Sequence, residues 1–169
     1  MEDADTCPLD CTDILLQTDS EAGTDTDASG IMFFVIPQRD IVVTSIDIFS
    51  IIEEGGLDSV KRVEVYTKEG GYAGSESNED AWENVYNNMQ SLQGPNAPTR
   101  LNLNNMEGVA IPAYSTQSFF IYSDEARIVA SLQGDMTSDN ALEIYQGIEV
   151  DEKWEGGISS VLSFKGAFR

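Results

Sequence analysis

From Gly30 onward, the chain alternates short apolar runs with clusters of glycine, proline, asparagine and aspartate. The apolar runs are rich in β-branched and aromatic residues, which favour strands, and turn residues interrupt them every ~8–12 residues. About nine to eleven short strands fit this pattern, and no alternation of strands with long helices is visible. The pattern predicts an all-β protein, an antiparallel β-sandwich that is jelly-roll-like.

Side-chain alternation predicts which face of each strand is buried. Two strands, at residues 31–36 and 41–52, are predicted in "GIMFFVIPQRDIVVTSIDIFSII", separated by "PQRD". In the second strand, every other residue from Val42 to Ile48 is predicted to face the core, because that set is the more apolar one. In "KRVEVYTKE", the valines are predicted to face inward and Tyr66 outward.

One short helix and one domain boundary complete the predicted organisation. The helix is predicted in "SNEDAWENVYNNM", near Trp82, because Ser77 or Asn78 can cap a first turn that holds acidic residues. Residues 1–29 are acidic and rich in Asp, Thr and Ser, and their apolar island "TDILLQ" could add an edge strand. We therefore predict a flexible lead-in over residues 1–29 and a single β-sandwich domain over residues 30–169.

The charge of the chain limits its partners. Thirty Asp and Glu stand against nine Lys and Arg, for a formal net charge of −21. Such a chain is repelled by nucleic acid and by anionic membrane surfaces, so we expect neither partner. Divalent cations or cationic partners fit better, although acidic residues also simply keep a protein soluble. No run of 18 apolar residues is present, so no membrane insertion is expected.

The chain has no histidine, and this limits its chemistry. The Ser-His-Asp triad, the Cys-His pair and histidine-based metal sites are all excluded. Carboxylates remain for glycoside hydrolysis, among them Glu53, Glu54, Glu76, Glu79 and Glu83. Because their spacing selects no acid–base pair, we expect a protein that is not an enzyme. A carboxylate or calcium-assisted glycoside hydrolase is the disfavoured alternative.

The two cysteines, Cys7 and Cys11, lie in "CPLDC". Three intervening residues do not match the CxxC redox spacing, and two thiolates do not complete a zinc site. A small disulfide loop in an oxidising compartment is favoured, while free thiols or bridges to another chain remain open. The acidic start lacks the basic region of a signal peptide, so the chain is either intracellular or a mature domain.

The stretch "TDTDASG" is a candidate calcium loop, because Asp25, Asp27 and Ser29 alternate before Gly30. An EF-hand is excluded, since its twelfth position would be Ile36, inside a predicted strand. A looser calcium loop, completed by distant carboxylates, remains possible beside the simpler interpretation of an acidic linker that runs into a strand.

A second acidic loop, "DMTSDNALE", offers Asp135, Asp139, Asn140 and Glu143 as calcium ligands. The alternative is an ordinary turn in which the Asp and Asn side chains bond to the backbone. Calcium is therefore the one candidate cofactor.

Three aromatic residues are candidates for a glycan-binding surface, because the C–H faces of sugars stack on aromatic rings. Tyr66 lies on the polar face of its predicted strand, while Tyr72 and Trp154 lie in glycine-rich loops. The alternative is that these rings pack at the ends of the sandwich. Trp82, on the short helix, is predicted to be a core residue.

Several phrases of the sequence resemble a secreted β-sandwich module that recurs in diatom extracellular proteins and in bacterial surface-targeted proteins. The resemblance rests most strongly on "VEVYTKEGGYAG", and it extends over residues 30–169. The other matching phrases are Gly30–Phe33, "NEDAWENV" with Trp82, "GVAIPAYSTQSFFI", "TSDNALEIYQG" and "KWEGGISSVLSFKGAF". The module usually has glycine at the position of Tyr114, and its closing motif differs from the one in this chain.

The resemblance implies an extracellular or cell-surface location and a β-sandwich fold, but no activity. With the composition, it leads us to expect a non-catalytic binding or adhesion module for a glycan or another matrix component. The alternative is a purely structural domain whose partners are other domains of a larger chain.

Overall fold

A computed structural model describes residues 16–17, 25–51, 60–131, 137–138, 141–155 and 158–169. The described chain is almost entirely antiparallel β-structure, with curled sheets that pack against each other, so the prediction of an all-β, sandwich-like fold is confirmed. The strands are β1 (Leu16–Gln17), β2 (Asp25–Ala28), β3 (Gly30–Pro37), β4 (Ile41–Val43), β5 (Ser45–Ile48), β6 (Ser50–Ile51), β7 (Val60–Glu69), β8 (Glu83–Ser91), β9 (Thr99–Asn102), β10 (Val109–Ile111), β11 (Gln117–Tyr122), β12 (Arg127–Ser131), β13 (Thr137–Ser138), β14 (Leu142–Ile144), β15 (Gly147–Val150), β16 (Ile158–Phe164) and β17 (Gly166–Phe168).

Within the described ranges, these strands form a large sheet, a four-stranded sheet and a two-stranded ribbon. The large sheet has the order β2-β12-β16-β15-β3-β11-β7-β8, and β6, β13 and β14 pair with it off this path. The four-stranded sheet has the order β1-β17-β5-β9, and the ribbon consists of β10 and β4. Neighbours in the large sheet are often far apart in sequence, which is typical of sandwich topologies.

The main core lies between the large sheet and the four-stranded sheet. On the large sheet, Phe33 stacks on Phe164 with ring centroids 4.6 Å apart. From the four-stranded sheet, Phe168 meets Phe33 edge-on at 5.9 Å, and Ile46 and Ile48 are fully buried. Burying rings and branched side chains from both sheets supplies most of the stabilisation of such a fold.

The opposite face of the large sheet is also covered. A second cluster of buried residues contains Met32, Tyr66, Trp82, Phe120, Tyr122, Ile148 and Val150, and Tyr72, Ala81 and Trp154 pack against it. We call these ten residues the outer aromatic cluster. The two loops that carry Trp82 and Trp154 close over the sheet, so the middle of β7 is buried on both faces.

The single strand predicted over residues 41–52 is wrong in its length and partly in its faces. The chain is divided into β4, β5 and β6. β4 pairs with β10 in the ribbon, β5 pairs with β17 in the four-stranded sheet, and β6 pairs with β12 of the large sheet. Val42 is 52% exposed and Val43 is buried, while Ile46 and Ile48 are buried as predicted. Because the chain leaves the ribbon and joins the four-stranded sheet at Thr44, the alternation restarts there.

The helix predicted near Trp82 is reduced to one 3₁₀ turn, Glu79–Ala81, and Trp82 follows it. The Asn78 side chain makes no capping hydrogen bond. The prediction placed part of Glu83–Ser91 in the helix and the rest after it. In the structure, this whole range forms β8 and pairs with β7. Cross-strand pairing therefore outweighs the local helix signal.

Two short strands are described within the predicted lead-in, whose boundary at residue 29 stays a prediction. β2 pairs with β12, with Asp27 opposite Val129, so Asp25–Ala28 belong to the large sheet. β1 pairs with β17 at the edge of the four-stranded sheet, as the possible edge strand in "TDILLQ" suggested. Cys7 and Cys11 lie outside the described residues, so their predicted disulfide stays a prediction.

Candidate functional site

The inward face of the large sheet becomes polar at one end. Along β7 this face changes from Val63 and Val65 to Thr67 and then Glu69, and Gln117 of β11 pairs with Glu69. Apolar packing between the sheets therefore stops at this end, and the space that it would fill opens to solvent.

A cleft of about 550 Å³ occupies this end of the sandwich. Its walls come from the end of β7 (residues 67–69), the start of β8 with Glu83, the ribbon strand β10, and Gln117 of β11. Asn104 and Gly108, on the connection between β9 and β10, form its rim. The volume lies within the range of roughly 300–1,000 Å³ that is usual for small-ligand sites.

Hydrogen bonds fix the floor of the cleft. Gln117 Nε2 donates to Thr67 Oγ1 at 2.7 Å, and Thr67 Oγ1 donates to the Ser118 carbonyl at 2.9 Å. Gln117 and Thr67 are 6% and 3% exposed. Because both side chains are held by strands of the large sheet, the cleft has a pre-organised polar floor.

The rim of the cleft is also held rigidly. Asn104 adopts a left-handed backbone conformation with φ of 43°, and its Nδ2 donates to the Gly108 carbonyl at 3.2 Å. Gly108 has φ of 76°, and a Cβ added there would lie 2.7 Å from the Val43 carbonyl oxygen. Only glycine permits both that conformation and that close approach to the ribbon.

Charged groups surround the cleft. Glu69 and Glu83 are both exposed to solvent. The Lys68 ammonium donates to the carbonyls of Glu69 and Gly71 at 3.0 and 2.7 Å, and it lies 6.0 Å from the centre of the Trp82 ring. The cleft thus offers two carboxylates, an ammonium group and amide side chains, all able to bond to a polar ligand.

The structure places the three aromatic residues that the sequence proposed for glycan binding in one cluster, and none of them lines this cleft. Tyr66 is 5% exposed, and its ring meets Trp154 edge-on at 5.1 Å. Tyr72 packs beside Phe34, with ring centroids 6.2 Å apart. All three belong to the outer aromatic cluster, in which the Tyr66 and Trp154 rings contact each other.

A charged network lies at the edge of the outer aromatic cluster. Lys153 Nζ donates to Glu64 Oε2 at 2.7 Å and to the Tyr66 hydroxyl at 3.2 Å. Burial lowers the pKa of Lys153, but its bonds to Glu64 and Tyr66 outweigh this and raise the pKa above the ordinary 10.5. Burial raises the pKa of Tyr66 above the ordinary 10.0, against the effect of Lys153.

Trp154 is held in a conformation that bulky residues rarely adopt. Its φ is 64°, and its indole N–H is buried without a hydrogen-bond partner among the described residues. The ring packs against Phe120 at 5.2 Å and beside Trp82 at 6.3 Å. Its contacts therefore hold the residue 151–155 loop against the sheet, despite an unfavourable backbone and an unpaired donor.

The predicted calcium ligands Asp27 and Ser29 bind an arginine. Arg127 Nε donates to Asp27 Oδ2 at 2.7 Å, Nη1 donates to the Ser29 hydroxyl at 2.8 Å, and Nη2 donates to the Asp27 carbonyl at 3.0 Å. Glu149 lies 3.9 Å from the same guanidinium. These oxygens hold the Arg127 guanidinium in this structure, and the calcium site stays a prediction.

Of the remaining predicted metal ligands, Glu143 accepts hydrogen bonds from Gln38 Nε2 and from the Tyr145 hydroxyl, and the others cannot be placed. Of Asp25, only the strand backbone is described, and Asp135, Asp139 and Asn140 lie outside the described residues. In the part of the chain that the structure describes, no three acidic or cysteine side chains group closely enough to hold a metal ion.

The sequence missed most of the residues that line the cleft, above all Gln117 and Asn104, and it named Glu83 only as one of several carboxylates for glycoside hydrolysis. The available signal was the change from valine to threonine and glutamate along β7.

No helix in the described ranges is long and apolar enough to cross a membrane. Neither a protein-family profile nor a curated protein sequence matches the chain.

Proposed function

We propose that the protein is a non-catalytic extracellular binding or adhesion module, and that its ligand lies in the cleft between β7, β8 and β10. The ligand class that we propose is a neutral glycan or a similarly hydroxylated matrix component. The observation that carries the proposal is a cleft of about 550 Å³ with a rigid polar floor at the end of the inter-sheet space.

The chemistry of the cleft supports a hydroxyl-rich ligand. Carboxylates accept hydrogen bonds from hydroxyl groups, and the amides of Gln117 and Asn104 both donate and accept. The net charge of −21 works against anionic polysaccharides, since uronate or sulfate groups would be repelled. A neutral glycan satisfies the polar groups without this repulsion.

The extracellular location and the adhesive role rest on the sequence. The resemblance to a secreted β-sandwich module supports them, and the acidic composition agrees with a protein that works in a salty exterior.

The proposal is tested by screening the protein against neutral polysaccharides and measuring the affinity of each hit by calorimetry. Ala110→Trp places a large side chain in the cleft, and Asn88→Trp places the same side chain on an exposed strand position outside it. We expect Ala110→Trp to weaken binding by at least about tenfold, because a blocked cleft loses most ligand contacts. Asn88→Trp should bind as the native protein does.

A panel of neutral glycans that shows no binding, with a folded protein, would contradict the proposal. It would favour the alternative of a purely structural domain, which binds nothing by itself.

Glu69 and Glu83 raise a second candidate, glycoside hydrolysis, because both carboxylates line the cleft. A general acid needs a carboxyl in apolar surroundings, whereas both of these side chains are exposed to solvent. Incubation with the same glycans should therefore release no reducing ends. Release that is lost in Glu83→Gln would make the protein an enzyme.

A further inference from the structure

Tyr114 combines high exposure with an unfavourable backbone. Its side chain is 73% exposed, the highest value among the large hydrophobic residues that the structure describes. Its φ is 59°, in the left-handed region that glycine and asparagine adopt most readily. For a bulky aromatic residue, this conformation is a genuine outlier.

The turn around Tyr114 is held by bonds that do not involve its ring. The Tyr114 amide donates to the Pro37 carbonyl at 2.7 Å, and the Ser115 hydroxyl donates to the Pro112 carbonyl at 2.7 Å. The Ala113 amide donates to Asp40 Oδ1 at 2.8 Å. Backbone contacts therefore impose the left-handed conformation, and a residue without a ring would satisfy them equally well.

The ring has no polar or aromatic partner among the residues that the structure describes. In the described part of the chain, the Tyr114 side chain takes part in no hydrogen bond, ring contact or cation contact. A strained residue whose side chain points away from the protein is a reason to look for a ligand.

The position of Tyr114 relates it to the cleft. Ala110, four residues before it, and Gln117, three residues after it, both line the cleft. A segment of three residues spans at most about 11 Å, so the Tyr114 backbone lies within that distance of the cleft floor. A few sugar units can bridge such a separation.

We propose that Tyr114 is a stacking platform for one sugar ring of a neutral glycan whose neighbouring units occupy the cleft. The C–H face of the sugar covers the aromatic ring, and the phenol hydroxyl remains free to bond to a sugar hydroxyl. This inference rests on the proposed function of the cleft, and it adds the residue that selects a pyranose-like face over other polar ligands.

Three variants test the platform. Tyr114→Asn and Tyr114→Gly remove the ring and tolerate the left-handed backbone, while Tyr114→Phe keeps the ring. We expect the first two to bind the glycan about tenfold more weakly and to melt no lower than the native protein. Tyr114→Phe should stay within about threefold of the native affinity. Val161→Ser, which removes another exposed apolar side chain on β16, should leave binding unchanged.

The outcomes separate the platform from the cleft. If Tyr114→Asn binds as tightly as the native protein while Ala110→Trp does not bind, the proposal for Tyr114 is wrong and the proposal that the ligand binds in the cleft is supported. If the native protein binds no neutral glycan, both proposals fall. If Tyr114→Asn melts well below the native protein, the ring has a packing role and the platform is overturned.

Discussion

Arg127 shows how one side chain can organise a whole segment of backbone. Its guanidinium bonds to the Asp27 carboxylate, to the Asp27 carbonyl and to the Ser29 hydroxyl, and these groups alternate along β2 and its continuation. Side chains two residues apart lie on one face of a strand, so a single planar cation reaches both. Since the side chains of Arg127 and Asp27 are 35% and 40% exposed, the ion pair contributes only about 0–1 kcal/mol.

The same geometry predicts how the protein responds to calcium. We expect millimolar calcium to shift the melting temperature of Asp27→Asn by the same amount as that of the native protein, because Asp27 is engaged by Arg127. The measurement is a thermal melt in EDTA and in calcium for both proteins. A calcium-dependent rise that Asp27→Asn abolishes would show that the ion displaces the arginine.

The sequence did not predict the left-handed backbone of two aromatic residues. Tyr114 has a φ of 59°, in the region that glycine adopts most readily. Trp154 has a φ of 64°, and its ring contacts the outer aromatic cluster. Those contacts join residues far apart in sequence, so local rules could not predict them.

At the scale of elements, the residue 151–155 loop is held against the large sheet by the charge of Lys153 as well as by the ring of Trp154. The Glu64 side chain is 10% exposed and accepts hydrogen bonds from Lys153, Tyr66 and Asn87. Removing the cation would leave a nearly buried carboxylate with weaker partners. Truncating one member of a buried ion pair lowers stability more than replacing both members with apolar residues.

The raised pKa values of Lys153 and Tyr66 predict that the protein loses stability at alkaline pH. The pKa values of Lys153 and Tyr66 are raised in the folded protein, so the native state holds these protons more tightly than the unfolded chain. The stability that they contribute is complete below about pH 10 and is lost as the pH rises through the folded pKa values.

The measurement is urea unfolding, followed by tryptophan fluorescence, from pH 8 to pH 11.5. We expect Lys153→Met to lower the free energy of unfolding by about 2 kcal/mol at pH 8. Above pH 10, the free energy of unfolding of this variant should fall less steeply with pH than that of the native protein. Lys61→Met is the control, since Lys61 has no contact with Glu64. Equal slopes for the native protein and Lys153→Met would contradict the assignment.

For the whole molecule, the strands before Gly30 complete two sheets. β2 covers one edge of β12, and β1 covers one edge of β17. Without them, rows of backbone N–H and C=O groups would become exposed edges, which destabilises a sheet and favours association. The domain boundary that the acidic composition suggested therefore divides paired strands.

Truncation tests this organisation. A chain of residues 30–169 should unfold at a lower urea concentration than the full chain and should aggregate more readily. A chain of residues 16–169 keeps both strands, so it should unfold at a higher urea concentration than the chain of residues 30–169. Identical unfolding midpoints for residues 30–169 and the full chain would show that the lead-in contributes nothing to stability.

The sequence by itself determined the class of fold and the positions of several strands. Alternation of apolar and polar residues, with turn residues at regular intervals, is a local property, and it was enough for the strands that contain Phe33 and Val65. It also identified the face of β7 that enters the main core. The absence of histidine excludes histidine-based chemistry without any structure.

The tertiary structure decided which faces are covered and where a ligand can enter. Tyr66 was predicted to face solvent, but loops carrying Trp82 and Trp154 cover it. The cleft arises because β7 and β11 run past the apolar layer beside the β9–β10 connection, and Asp27 meets Arg127 one hundred residues away. Strand order and loop packing are set by contacts between distant residues, and the local pattern of a strand does not encode its neighbours.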